Sequence, residues 1–215
     1  MLKLKLRNNV HSGKLIVFEG TDGAGKTTMI SMTEKVLQKE YGQDNVIVIK
    51  QPTDLSRKTK LFQKMMYSKN HDDIDYRAVQ LLTMSDRIQH SFEVIEPALK
   101  EGKIVICDRY VYTSLANMLA RGYTQEKWFF QAAKQIIKPD VAFLAYVTPG
   151  VAICRIKQRP DECDRHLDED LLRKVSKNFW DMSKREKFTV LDTSREPDLA
   201  FEQVKRKLML KGIIK

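Results

Sequence analysis

Apolar residues along the chain fall into two kinds of pattern. Five short runs are almost uninterrupted by polar residues: LIVF (15–18), VIVI (46–49), IVIC (104–107), VAFLAYV (141–147) and FTVL (188–191). Runs of this length, rich in β-branched residues and lacking polar alternation, read as strands buried on both faces. Between them the apolar positions recur at helical spacing. Strands alternating with helices predict an α/β fold, a five-stranded parallel sheet flanked by helices on both faces, because each parallel pair needs a crossover connection.

The first helix is expected to open in a glycine-rich turn and run to about Tyr41, with Gly42 as its C-terminal cap. Residues 72–100, DDIDYRAVQLLTMSDRIQHSFEVIEPALK, carry a strong helical pattern, with Asp72 or Asp73 as N-cap and Gly102 closing the segment. Pro97 is predicted to end or kink that helix near Glu96, since proline lacks the N–H a helix interior requires. Gln51-Pro52 leads from the second strand into a loop, and further helices are predicted at about 112–121, 125–137, 150–158, 168–186 and 198–210. Leu2, Leu4 and Leu6 alternate with Lys3, Lys5 and Arg7. Residues 1–13 therefore read as a short extension, solvated or strand-like, ahead of a single domain over 14–215. The basic start, without an acid before Glu19, leaves a mitochondrial presequence as a second reading.

Composition narrows the function classes. With 215 residues, 42% apolar and 31% charged, the chain can bury a sizeable core and has no disordered or fibrous bias. No apolar run approaches the roughly 18 residues of a membrane-spanning helix. The formal charge of +10 suits either a nucleic-acid surface or an enzyme that gathers cations around polyphosphates. Lys and Arg are spread along the whole chain without a basic tail, which favours the second and makes nucleic acid an unexpected partner. Cys107, Cys154 and Cys163 are odd in number and lack framework spacing, so a reducing, cytoplasmic compartment is expected. Cys154, Cys163 and His166 lack the paired Cys-x-x-Cys of a zinc site.

The chemistry is concentrated in three places. Gly20-Thr21-Asp22-Gly23-Ala24-Gly25-Lys26-Thr27, followed by Thr28, fits G-x-x-x-x-G-K-[ST] between a buried strand and a helix. Glycines let backbone N–H groups wrap a polyphosphate, Lys26 reaches the β and γ phosphates, and Thr27 offers a hydroxyl to Mg²⁺. Asp108-Arg109-Tyr110 follows the third strand. Its carboxylate suits a Mg²⁺ hydration shell and its arginine a phosphate oxygen; the other reading of Asp108 is an N-cap for the next helix. Arg155, Arg159 and Arg165 lie in RIKQRPDECDRH, either a solvated basic loop or a flap (LID) at about 155–167 that clamps phosphate.

With these motifs in place, the chain resembles the thymidylate kinase (dTMP kinase) family of P-loop nucleoside monophosphate kinases. The resemblance covers about residues 14–208. It runs through FEGTDGAGKTT, the QPT turn, DIDYRAVQLLTMSDRIQH, DRYVYTSLAN, KPDVAFLAYVTPGVAICRIKQR, the DRH of the flap and LDTSREPDLAFEQV. It implies a P-loop NTPase fold, ATP as phosphoryl donor with Mg²⁺ held at Thr27 and Asp108, dTMP as acceptor, and a homodimer packed through long helices such as 72–100. The glycine-rich loop from Gly20 to Thr28 and Arg155 are implied to hold ATP. Asp22 is implied to approach the 3′-hydroxyl of the acceptor sugar, Lys50 and Arg109 its phosphate, and Arg87 its base, with Pro52, Thr83, Thr113 and Asn117 completing the acceptor pocket. Transfer itself is implied to rest on Lys26, Arg109, Asp22, Arg159 and Arg165. Because Gly23 stands where some members carry an arginine, the flap is implied to supply the catalytic arginine.

Two positions depart from the family pattern. Thr83 stands where a phenylalanine stacks on thymine, and Asn117-Met118 where Tyr-Gln is usual; methionine lacks an amide's donor and acceptor. Met84 is either a substitute stacking surface or, with Met118, core packing. Two alternatives therefore stand beside dTMP kinase: a kinase for another nucleoside monophosphate, and a weak nucleotide-binding protein with a nucleic-acid or protein partner. No general base is expected, since a monophosphate with a second pKa near ~6 is already ionised at neutral pH.

Overall fold

The computed structural model describes residues 4–69, 72–159 and 167–215. The five apolar runs form β1 (Lys14–Glu19), β2 (Val46–Lys50), β3 (Ile104–Asp108), β4 (Val141–Tyr146) and β5 (Thr189–Asp192). All pair in parallel, in the order β2-β3-β1-β4-β5. Alternate residues of each central strand feed opposite cores. Leu15, Val17, Val105, Cys107 and Leu144 face one, while Ile16, Phe18, Ile104, Ile106, Val141 and Phe143 face the other.

The second core is closed by α1 (Lys26–Tyr41) and α10 (Pro197–Leu210). The first is closed by α4 (Tyr76–His90), α5 (Glu96–Lys100), α6 (Val111–Ala120), α7 (Lys127–Ala132) and α9 (Glu169–Arg185). α8 (Pro149–Lys157) packs with Ala24, Ala145 and Leu172 in a third, smaller cluster.

Several expectations are corrected. β2 is not buried on both faces: it is an edge strand, and Val48 is 40% exposed. β5, the other edge, buries only Leu191 fully. An apolar run reports hydrophobicity and not its place in the sheet. The stretch after Pro52 is not a plain loop but two short helices, α2 (Asp54–Arg57) and α3 (Lys60–Tyr67), capped by the hydroxyls of Thr53 and Thr59.

α4 is capped by Asp75, whose carboxylate accepts from the Arg77 N–H, and not by Asp72 or Asp73. Nor does Pro97 end the helical path. Residues Ser91–Ile95 form a π-turn in which the Glu96 N–H reaches the Ser91 carbonyl, and Pro97 falls in the first turn of α5. There a missing N–H removes no helical bond. The helix expected at 125–137 is α7 followed by a 3₁₀ turn at Ala133–Gln135.

The N-terminal segment lies against the domain. Leu4 is buried in the first core, Leu6 packs beside it, and Lys5 and Arg7 face outward. Arg7 forms a parallel bridge with Ile137: its N–H donates to the Ile136 carbonyl at 2.9 Å and its carbonyl accepts from the Lys138 N–H at 2.6 Å. Leu2 and Lys3 fall outside the described residues, as do Cys163 and His166. Among the described residues no group of three acidic, histidine or cysteine side chains could hold a metal, and no helix is long and apolar enough to cross a membrane.

Candidate active site

β1 ends at Glu19, and the chain then turns back over the sheet into α1. Gly20 has φ of 137°, and a Cβ there would sit 2.4 Å from the Ala145 carbonyl oxygen. Gly23 has φ of 75°, and its Cβ would meet the Ala152 oxygen at 2.4 Å. Only glycine fits either place. The same contact explains why Gly23 carries no arginine in this backbone.

At the head of α1, Gly25 offers no side-chain cap and the first turn has no acid. The amides there are available to an anion. Lys26 is buried and its ammonium donates to the carbonyls of Gly20 (3.1 Å) and Thr21 (2.8 Å). Burial, and then the Arg109 charge, lower its pKa to about 8, against the opposing pull of Asp22, Asp108 and Glu19. Thr27 and Thr28 are exposed on the first turn. From the far side, Arg155 on α8 donates to the Gly23 (3.4 Å) and Thr193 (3.0 Å) carbonyls, and the Thr193 hydroxyl donates to Ala24 at 2.7 Å. The loop is thus held from both sides.

The turn from β3 to α6 brings the second motif against the loop. Arg109 adopts φ of 68°, its N–H donates to the Phe18 carbonyl at 2.9 Å, and its guanidinium donates to Gly20 at 3.0 Å and pairs with Asp22. Asp108 is not the N-cap of α6. That position is Tyr110, and the buried Glu19 carboxylate accepts from the N–H groups of Tyr110 (2.9 Å) and Thr113 (3.1 Å) and from the Thr113 hydroxyl. Burial raises the Glu19 pKa to about 7, opposed by the Thr113 hydrogen bond and by Arg109 and Arg87. One Asp108 carboxylate oxygen is buried without a hydrogen-bond partner among the described residues.

A cavity of about 400 Å³ opens beside these groups. It is lined at one end by Thr21, Asp22, Lys50, Pro52 and Arg109, and further along α4 and α6 by Thr83, Arg87, Thr113 and Asn117. Thr113 and Asn117 lie one turn apart on α6, Arg121 follows at the same spacing as its C-cap, and Arg109 lies in the turn before the helix. Arg87 is buried and donates to the Thr83 (3.1 Å) and Tyr110 (3.2 Å) carbonyls. Thr83 is buried, and its hydroxyl donates to the Gln80 carbonyl at 3.2 Å. Met84 and Met118 are core residues and do not line the cavity, which overturns Met84 as a stacking surface. Arg159 follows α8, is exposed and is not among the cavity-lining residues, and Arg165 lies outside the described residues.

Sequence reasoning missed two cavity arginines, Arg57 and Arg121, and the buried Asp86 carboxylate that fixes α2. Asp86 accepts hydrogen bonds from the Thr53 N–H (2.8 Å), the Thr53 hydroxyl (2.9 Å) and the Ser56 N–H (3.2 Å), tying α2 to α4. Arg57 lines the cavity from α2, and its Nε donates to the Pro52 carbonyl at 2.6 Å. Arg121 lies 4.0 Å from the centre of the Tyr76 ring and donates to Asn117 Oδ1 at 3.0 Å. The only sequence signal for Arg121 was its spacing of four from Asn117, and Arg57 had none.

Comparison with known proteins agrees with this geometry. A thymidylate kinase of Ehrlichia chaffeensis superposes with a TM-score of 0.68 over 92% of this chain and 98% of that one; at 23% identity the likeness is one of fold. A probable thymidylate kinase of Pyrococcus abyssi is 39% identical over 172 residues, 78% of this chain and 81% of its own. The thymidylate kinase of Geobacillus thermodenitrificans is 34% identical over 200 residues, 89% and 88% of the two chains. The family model described as thymidylate kinase matches residues 18–204, a span that begins before the glycine-rich loop and takes in every cavity group named above. The chain belongs to the thymidylate kinase family.

Proposed function

We propose that this protein transfers the γ-phosphoryl group of ATP to dTMP, giving ADP and dTDP. The observation that carries this reading is a cavity that runs from Thr21 and Asp22 of the glycine-rich loop, past the Asp22–Arg109 pair, to the Thr83–Arg87 end. Phosphoryl transfer asks a protein mainly for alignment and charge compensation, and the residues present are of that kind. The loop amides and Lys26 hold the donor phosphates, Arg155 steadies the donor side, and Arg109 bridges towards the acceptor phosphate. Asp22, kept in place by Arg109, faces the acceptor sugar, while Lys50 and Pro52 border its phosphate. Thr83, Arg87, Thr113 and Asn117 form the base end, and Arg159 and Arg165 bring the remaining charge from the flap. The acceptor oxygen is already ionised, so no base is required.

The donor set suits Mg²⁺: the Asp108 oxygen without a partner among the described residues and the exposed Thr27 hydroxyl are hard oxygen ligands that would hold it. When bound, the metal neutralises charge shared by the β and γ phosphates. α4 and the π-turn expose Leu81 and Phe92, a surface suited to homodimerisation, and a cytoplasmic site of action fits the unpaired cysteines.

A panel of monophosphates with ATP and Mg²⁺ tests the assignment. dTMP should support ADP formation best, and Lys26→Met should abolish it. Absence of dTMP-dependent turnover sinks the reading. Turnover with dUMP, dCMP or UMP in its place would keep the reaction and change the acceptor. Thr83→Phe is the informative variant, whereas Met118→Gln would place an amide in the core.

A further inference from the structure

We infer that Arg57 binds the acceptor phosphate together with Arg109, and that Lys50 plays the lesser part. This rests on the proposed kinase reading.

Arg57 is positioned before any ligand arrives. α2 is fastened to α4 by the three hydrogen bonds that Asp86 accepts, and the Arg57 Nε is committed to the Pro52 carbonyl. The guanidinium lies over the Phe62 ring, 5.8 Å from its centre. These contacts fix its plane but leave its two terminal nitrogens without a hydrogen-bond partner among the described residues. Arg57 lines the same cavity as Asp22, Lys50 and Arg109.

Its charge is poorly compensated there. Burial and then the Arg109 charge hold the Arg57 guanidinium below the ordinary arginine range, with Asp108, Asp22 and Asp54 acting the other way. Asp22 is already paired with Arg109. Two guanidiniums converging on one cavity, one of them without a carboxylate, create a site that a phosphate dianion relieves, and the forked donors match its oxygens. Lys50, in contrast, is exposed at the end of the edge strand β2, a flexible point charge with no hydrogen bond or ion pair among the described residues. Its pre-organisation is lower, so its contribution per contact is smaller.

The test compares dTMP with thymidine, which lacks the phosphate, in wild type, Arg57→Gln, Arg57→Lys and Lys50→Gln. Arg57→Gln should raise the KM and Kd for dTMP roughly 10- to 100-fold, the loss of a charge-assisted hydrogen bond, and leave thymidine binding and the KM for ATP unchanged. Arg57→Lys should fall between wild type and Arg57→Gln, and Lys50→Gln should cost less than Arg57→Gln. Equal losses for dTMP and thymidine would make Arg57 a structural anchor of α2 and overturn the inference. So would an unchanged dTMP KM, or a larger loss in Lys50→Gln. A wild type that turns over a different monophosphate moves the comparison to that nucleotide and its nucleoside. A wild type that phosphorylates none overturns the kinase reading itself, and the inference with it.

Discussion

Lys26 and Glu19 are ionisable groups held away from their ordinary pKa values, and each yields a pH-dependent expectation. Free Lys26 has its pKa lowered from 10.5 to about 8, so above that pH the folded protein binds fewer protons than the unfolded chain. A polyphosphate favours the charged ammonium, and binding should therefore draw in protons and weaken as pH rises above 8. Calorimetry of an ATP analogue at about pH 8.5, in two buffers of different ionisation enthalpy, should register proton uptake that Lys26→Met lacks. Equal uptake in both proteins would remove Lys26 as the source. Glu19 runs the other way, its pKa raised from 4.5 to about 7. Its stabilising contribution is complete below 4.5 and is lost as pH climbs through 7. Glu19→Gln, neutral throughout, should lose less stability than wild type across that window in urea titrations, and parallel curves would contradict the assignment. Below pH 4.5, where that contribution is complete, Glu19→Ala should cost about 1–3 kcal/mol, because the Tyr110 and Thr113 amides lose their acceptor. The glycine-rich loop was legible in the sequence because only glycine tolerates its backbone approach. Glu19 was not, because nothing in FEG says that its carboxylate serves a helix begun about 90 residues later.

Among the elements, α2 depends most on contacts distant in sequence. It is four residues long, too short to hold itself, and Asp86 supplies its fixed point on α4. Asp86→Ala should cost about 2–3 kcal/mol in urea unfolding, the scale of charged hydrogen bonds lost, and should raise the acceptor KM while sparing the KM for ATP. A change confined to ATP would mean that α2 is not an acceptor-side element. The five strands and α1 were legible because an apolar run or a helical period is a local property, and Gly42 ends α1 as expected. α2 and α3 were not, because their caps are threonines common in any loop and their apolar faces are brief. The start of α4 was misplaced because DDID offers three competing aspartates, and only packing selects Asp75. Edge position escaped for a similar reason: β2 and β5 read like central strands until the order of pairing is known.

Across the whole molecule, the sheet separates its two ends by function. The glycine-rich loop, Asp108 and Lys50 all sit at the C-terminal ends of strands, where parallel sheets place ligands. The opposite end is joined by the N-terminal segment, where Arg7 pairs with Ile137 just ahead of β4 and Asn9 donates to Asp140 at 2.8 Å. A six-residue strand such as β1 puts about 20 Å between the two. The segment's contribution should therefore be to stability alone. Burying Leu4 contributes about 1.5–3 kcal/mol, and the two backbone hydrogen bonds of Arg7 add about 1 kcal/mol each. The half-exposed Arg7–Glu96 ion pair adds little. Removing residues 1–8 should lower the urea midpoint by an amount worth about 3–5 kcal/mol, leaving the KM for both nucleotides unchanged below the transition. If the shortened protein kept its stability, Leu4 would not belong to the core. If its stability fell and the dTMP KM rose with it, the two ends of the sheet would be coupled through the first core, which reaches from Leu4 to the Phe62 and Tyr76 walls of the cavity.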